Sequence, residues 1–97
     1  MFLIQSKEVR KIERTEIFDR IIEERARQDK LHPLPKPKKD DNEEIKTFLT
    51  LINTTELLAV LIEEVGEIGK AIQGEGDLRE ELIQTCAVCV KWLEHIK

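Results

Sequence analysis

Two helical segments, residues 57–73 and 78–96, hinge at Gly74-Glu75-Gly76-Asp77, and each carries a carboxylate inside its apolar face. At about 100° per residue, Leu57, Leu61, Val65, Ile68 and Ile72 form one stripe, widened by Leu58 and Ile62. Glu64 falls between Ala71 and Leu57, within that face, and Glu67 lies at its edge beside Val60. Glu63 points further out, near Lys70. On the second segment Leu78, Leu82, Cys86, Cys89, Trp92, Leu93 and Ile96 mark the expected core side. Glu81 projects between Val88 and Trp92, and Gln84, Lys91 and His95 follow along the neighbouring edge.

A carboxylate that faces a core is costly unless it is paired, protonated or bound to a metal. Counting outward from the turn, Glu67 and Glu64 lie seven and ten residues before Gly74, and Glu81 and Gln84 four and seven past Asp77. In an antiparallel hairpin rising about 1.5 Å per residue these groups sit at comparable heights. Each pair is spaced i,i+3, so its members share one side of a helix. Three or four oxygen donors from two helices suit a hard divalent cation such as Mg²⁺.

Glu63-Glu64-x-x-Glu67, a short turn, then Glu81 with a polar residue three further on resembles the EExxE…ExxD motif of the MazG-like all-α nucleotide pyrophosphohydrolases. The runs 61–71 (LIEEVGEIGKA) and 78–94 (LREELIQTCAVCVKWLE) resemble small phage-type and bacterial members, and 24–30 (ERARQDK) resembles their first helix. The resemblance covers the last forty or so residues best. It implies hydrolysis of a nucleoside triphosphate to the monophosphate and pyrophosphate in a house-cleaning role, with Mg²⁺, or Mn²⁺ in its place, as cofactor. Glu64, Glu67, Glu81 and Gln84 would be the metal ligands, and Glu63 and Glu64 the catalytic pair, Glu63 helping to position water. One position departs from the pattern: the last acidic ligand would fall at Gln84, an amide that coordinates without charge. The competing reading is a degenerate member, a nucleotide-binding or oligomeric helical interaction module.

Substrate contacts are expected at Lys91, which lies near Gln84 on one helix edge, and at Arg25, Gln28 and Lys30 near the end of the first helix. That helix, about 7–29, carries a narrow apolar stripe of Val9, Ile12, Phe18, Ile21, Ile22 and Ala26. Pro33, Pro35 and Pro37 exclude regular helix from 31–41, a Pro/Lys-rich linker in which His32 and Lys36 to Lys39 read as solvated. Asp41 with Glu44, and Asn53 with Glu56, are capping signals for two further helices, 42–52 and 54–73. The expected fold is therefore a single all-α domain, 1–97, of four helices (about 7–29, 42–52, 54–73, 77–96).

Composition bounds the rest. Residues 1–42 hold eleven Lys and Arg against nine Asp and Glu (+2), and residues 43–97 five against eleven (−6). The acidic segment has no basic surface with which to displace counterions, so nucleic acid is not an expected partner. Met1 to Ile4 is too short an apolar start for a signal peptide, and no run of ~20 apolar residues is present, which places the chain in the cytoplasm. Cys86 and Cys89 lie mid-helix without further ligands and read as small core residues. The segment 86–90 is apolar nearly all round, which calls for burial on more than one side, and a homodimer or homotetramer is expected.

Overall fold

The computed structural model describes the backbone of residues 7–96 and the side-chain surroundings of residues 13–96. The expectations for Val9, Ile12 and the first six residues lie outside that range. All regular structure among the described residues is helical: α1 Lys7–Leu31, α2 Glu43–Ile72 and α3 Leu78–His95. The all-α class holds, but among the described residues the helices number three, not four.

The missing boundary is at Asn53. Instead of capping a new helix, Asn53 sits mid-helix at 2% exposure, and its Nδ2 donates to the Pro35 carbonyl at 2.8 Å. With its side chain engaged elsewhere, nothing competes with the backbone ladder and α2 runs through. The helix starts at Asn42, whose Oδ1 accepts from the Ile45 N–H at 2.9 Å, with Glu43 and Glu44 favourably placed against the dipole. Asp41, the expected cap, instead accepts from the Lys38 N–H at 2.7 Å. Asn53→Ala is expected to cost about 1–2 kcal/mol, a fall of roughly 4–16 °C in Tm at this chain size. Helicity by circular dichroism should stay constant, whereas a capping role would make it drop.

The α2–α3 turn follows from two glycines. Gly74, at φ +93°, places its N–H on the Ala71 carbonyl (3.0 Å) and the Glu75 N–H on the Lys70 carbonyl (2.9 Å), a Schellman closure. Gly76, at φ +137°, redirects the chain so that Asp77 Oδ1 can cap α3 through the Arg79 and Glu80 N–H groups.

α3 is the middle helix, packed on both α2 and α1, while α1 and α2 do not pack on each other. The pairings Arg20–Glu80 and Lys91–His32 show that α1 and α3 run in the same direction. The α1–α3 contact is largely polar. Ile21 meets Ile83 and Ala87, and Arg25 grips Glu94 through Nε (2.9 Å) and Nη2 (2.5 Å) and also holds Asp29 (2.8 Å).

Burial reverses two expectations. On α3 the covered residues are Ile83, Ala87, Val88 and Lys91, whereas Leu78, Leu82, Cys86, Cys89, Leu93 and Ile96 are exposed. The two cysteines are thus outward-facing and not core. On α1, Ile21 and Arg25 are buried while Phe18, Ile22 and Ala26 face solvent. The buried apolar set is small, Ile21, Leu57, Ala71, Ile83, Ala87 and Val88, with no large side chain fully enclosed among the described residues. α2 also reaches the length and mean hydropathy (1.5 over an 18-residue window) of a membrane span, because its polar positions there are mostly Thr and Asn. Only 11% of that window is buried among the described residues.

Candidate functional site

Because α1 and α2 flank α3 without touching, a cleft of about 500 Å³ opens between them. Gln84, Val88 and Lys91 of α3 form its floor. Glu24, Arg27 and Gln28 form the α1 wall, and Glu56, Val60, Glu63 and Glu64 the α2 wall. His32 and Leu34 close one end.

Five of the residues singled out from sequence meet here: Glu63, Glu64, Gln84, Gln28 and Lys91. Glu67, Glu81, Arg25 and Lys30 are not among the cleft's lining residues. Glu67 is ion-paired to Lys70 at 3.4 Å. Arg25 is committed to Glu94 and Asp29, which hold its guanidinium in the charged form, and so serves the α1–α3 joint instead of a ligand. Lys30 is exposed in the last turn of α1.

Glu64 is half-buried, and one of its oxygens, Oε2, is enclosed without a hydrogen-bond partner; Glu81 Oε2 is in the same condition. Burial pushes the Glu64 carboxyl above the ordinary carboxylate range, and repulsion from Glu81, Glu67, Glu24 and Glu63 adds to it. Lys91 is 4% exposed, with its Nζ donating to the His32 carbonyl at 2.7 Å. Burial pulls its ammonium below the usual lysine value, as does Arg25, against the opposing pull of Asp29 and Glu94. It is not the solvated lysine that an edge position would give.

Glu24 and Arg27 are cleft residues that the sequence reading did not select. The Glu24 carboxylate receives Arg27 at 2.9 Å and the Gln28 amide at 3.5 Å. Gln28 Nε2 also donates to the Gln84 carbonyl at 3.4 Å, while its own Oε1 is buried and unpaired. The available signal was spacing: Glu24 lies three residues after Ile21 and four before Gln28, on the side of α1 that turns inward.

Matches to known proteins do not guide the assignment: no protein-family model, no curated protein and no solved structure matches this chain. What the site can hold is therefore decided by its donors, Glu64 in the cleft wall and Glu81 next to Glu64 but outside the cleft lining. Two enclosed carboxylate oxygens without partners, on neighbouring helices, fit a hard cation chemically, since each needs positive charge or a proton. Among the described residues, however, no three His, Cys, Asp or Glu side chains converge as a ready-made metal cluster. Glu81 raises the energy of ionised Glu64, and Glu67 pairs with Lys70.

Proposed function

We propose that the chain is a Mg²⁺-dependent nucleoside triphosphate pyrophosphohydrolase, cleaving an NTP or dNTP with water to the monophosphate and pyrophosphate in the cytoplasm. The observation that carries this reading is the pair of enclosed, unpartnered oxygens on Glu64 and Glu81, set beside a cleft whose opposite wall bears Arg27. Glu64 and Glu81 would hold the cation, with Glu67 joining when it releases Lys70 and Gln84 offering a neutral amide oxygen. Bound Mg²⁺, or Mn²⁺ in its place, would neutralise phosphate charge and lower the pKa of a bound water. Glu63, which lines the cleft wall, would accept a proton from an attacking water at its carboxylate. Arg27 and Lys91 supply positive charge toward the polyphosphate, and Gln28 offers an unpaired amide oxygen for the base or sugar.

A non-catalytic reading draws on a different observation: Gln84 is uncharged, and no three acidic side chains converge among the described residues. On that reading the chain keeps a nucleotide-binding cleft, or only a helical scaffold, without turnover. Pyrophosphate release from eight common NTPs and dNTPs, assayed with Mg²⁺, Mn²⁺ and EDTA, separates the two. Metal-dependent release from at least one substrate that stops in EDTA is expected. No release from any of them by folded protein would overturn the enzyme.

A further inference from the structure

The end of the cleft closed by His32 and Leu34 differs in character from the end at Glu64. α1 sets the order along it. Glu24, whose charge acts on Glu64, comes first, Gln28 follows about 6 Å further along the helix, and His32 lies beyond. Leu57, two turns from Glu64 along α2, and Val88, between Gln84 and Lys91 on α3, line the cleft with Leu34. Leu57 and Val88 are each 2% exposed. Apolar walls of this kind suit the faces of a flat heterocycle, and a few fixed polar groups then decide which one enters.

Gln28 is such a group, and its neighbours fix its polarity. Its Nε2 donates to the Glu24 carboxylate at 3.5 Å and to the Gln84 carbonyl at 3.4 Å. Both partners are acceptors, so the amide cannot flip without setting oxygen against oxygen. The half left over is Oε1, an acceptor, enclosed and without a partner. A buried carbonyl left unpaired is costly. Both bonds that hold the amide are longer than the usual ~3 Å and its terminal torsion is soft, so Gln28 can turn Oε1 to a donor that enters the cleft. The donor at this end is Lys91, whose ammonium gives one hydrogen to the His32 carbonyl and has two more.

We propose that Gln28 selects the base: the cleft prefers nucleotides of cytosine and adenine, which carry an amino group on the edge remote from the sugar, over those of uracil, thymine, guanine and hypoxanthine, which carry a keto oxygen there. On the nucleotide reading of the cleft, on which this selectivity rests, the phosphates lie at the Glu64 end and the far edge of the base meets Gln28. Cytosine and adenine present an amino donor beside a ring-nitrogen acceptor, which match Oε1 and the Lys91 ammonium. The keto bases present an acceptor beside an N–H. Both contacts are then reversed, and Oε1 faces another oxygen.

Isothermal titration calorimetry of the full chain with α,β-imido nucleotide analogues, which bind without being cleaved, reads base choice apart from turnover. The CTP and UTP analogues form one pair and the ATP and ITP analogues another, each with Mg²⁺, and within a pair amino is exchanged for keto. The amino member of both pairs is expected to bind about tenfold tighter or more, the scale of leaving one buried acceptor unpaired. Gln28→Met, which keeps the length of the side chain without the amide, should bring both ratios toward unity. Each ratio is taken within one protein, so a general loss of affinity cancels, and the wild-type ratios decide even if the variant does not fold. Equal binding within the wild-type pairs, or tighter binding of the keto members, overturns the inference and leaves a hydrolase standing if pyrophosphate is released. A preference that survives Gln28→Met overturns it as well. Failure of folded protein to bind any analogue overturns it together with the nucleotide reading, whereas amino preference without pyrophosphate release supports it and removes hydrolysis alone.

Discussion

Glu64→Gln is expected to reduce metal-dependent pyrophosphate release by roughly 10²-fold or more, the scale of losing one fixed electrostatic group at a transition state, while making the chain more stable in EDTA. The two effects share a cause. Ionised Glu64 is half-buried beside Glu81, Glu67, Glu24 and Glu63, so without a cation its charge opposes folding. Its folded pKa is raised above the ordinary 4.5. The stability it contributes is therefore complete below the unfolded value and is lost as pH rises through the folded one. Wild type and variant should melt close together at pH 4 and separate toward neutrality, the variant ahead by on the order of 1 kcal/mol, or roughly 4–8 °C. Saturating Mg²⁺ should reverse the order, since a ligand bound only by the folded wild type raises its Tm. Thermal melts across pH, with EDTA and with Mg²⁺, read out all of this. A variant that is both active and unchanged in stability would remove Glu64 from the site.

Arg25→Ala is expected to be the most destabilising single change on α1, by about 2–3 kcal/mol. The guanidinium side chain is 9% exposed and holds Glu94 with two parallel bonds, the strong fork geometry, plus Asp29. The value lies below the 3–5 kcal/mol of a fully buried pair, because the Glu94 side chain is 47% exposed and water can take over its half. The Tm should fall by roughly 8–24 °C. Acid titration gives a signature that general loss of packing lacks. The hydrogen bond from Arg25 holds the Glu94 carboxyl below the usual 4.5. That contribution is present above 4.5 and disappears as pH falls through the folded pKa. The gap between wild type and Arg25→Ala should therefore narrow below pH 4. Arg25→Lys should recover only part of the loss, because an ammonium cannot form the fork. If Arg25 instead bound a triphosphate, these variants would raise KM with little change in Tm.

The helical class, the glycine turn and the inward lean of Glu64 could all be read from the chain, because each depends on local spacing. The turn needed residues that tolerate positive φ, and Gly74 and Gly76 supply them where the apolar period breaks between the last two helices. What periodicity could not say is which neighbour covers a face. α3 has apolar residues on both sides, and the richer side, from Leu78 through Leu93, turned out to be the outward one, with the smaller Ile83–Ala87–Val88 face against the other helices. Asn53 misled for a related reason. An Asn followed by Glu three residues later satisfies the capping rule, and only the position of Pro35, eighteen residues earlier in the chain, shows that the amide serves a tertiary bond. Glu24 and Arg27 were passed over because a charge-rich helix offers no local sign of which charges turn inward.

Lys91 and Asn53 both fasten the connection 32–42, one by the His32 carbonyl and the other by the Pro35 carbonyl. That stretch joins α1 to α2, which do not pack on each other among the described residues. With Pro33, Pro35 and Pro37 it is a short semi-rigid strut, whose reach is set by backbone geometry more than by side-chain packing. One end of the cleft that Glu64 lines is accordingly formed by this strut, through His32 and Leu34. A change of one residue in the strut's length would shift His32 and Leu34, and with them the end of the cleft that Lys91 and Asn53 now hold in place.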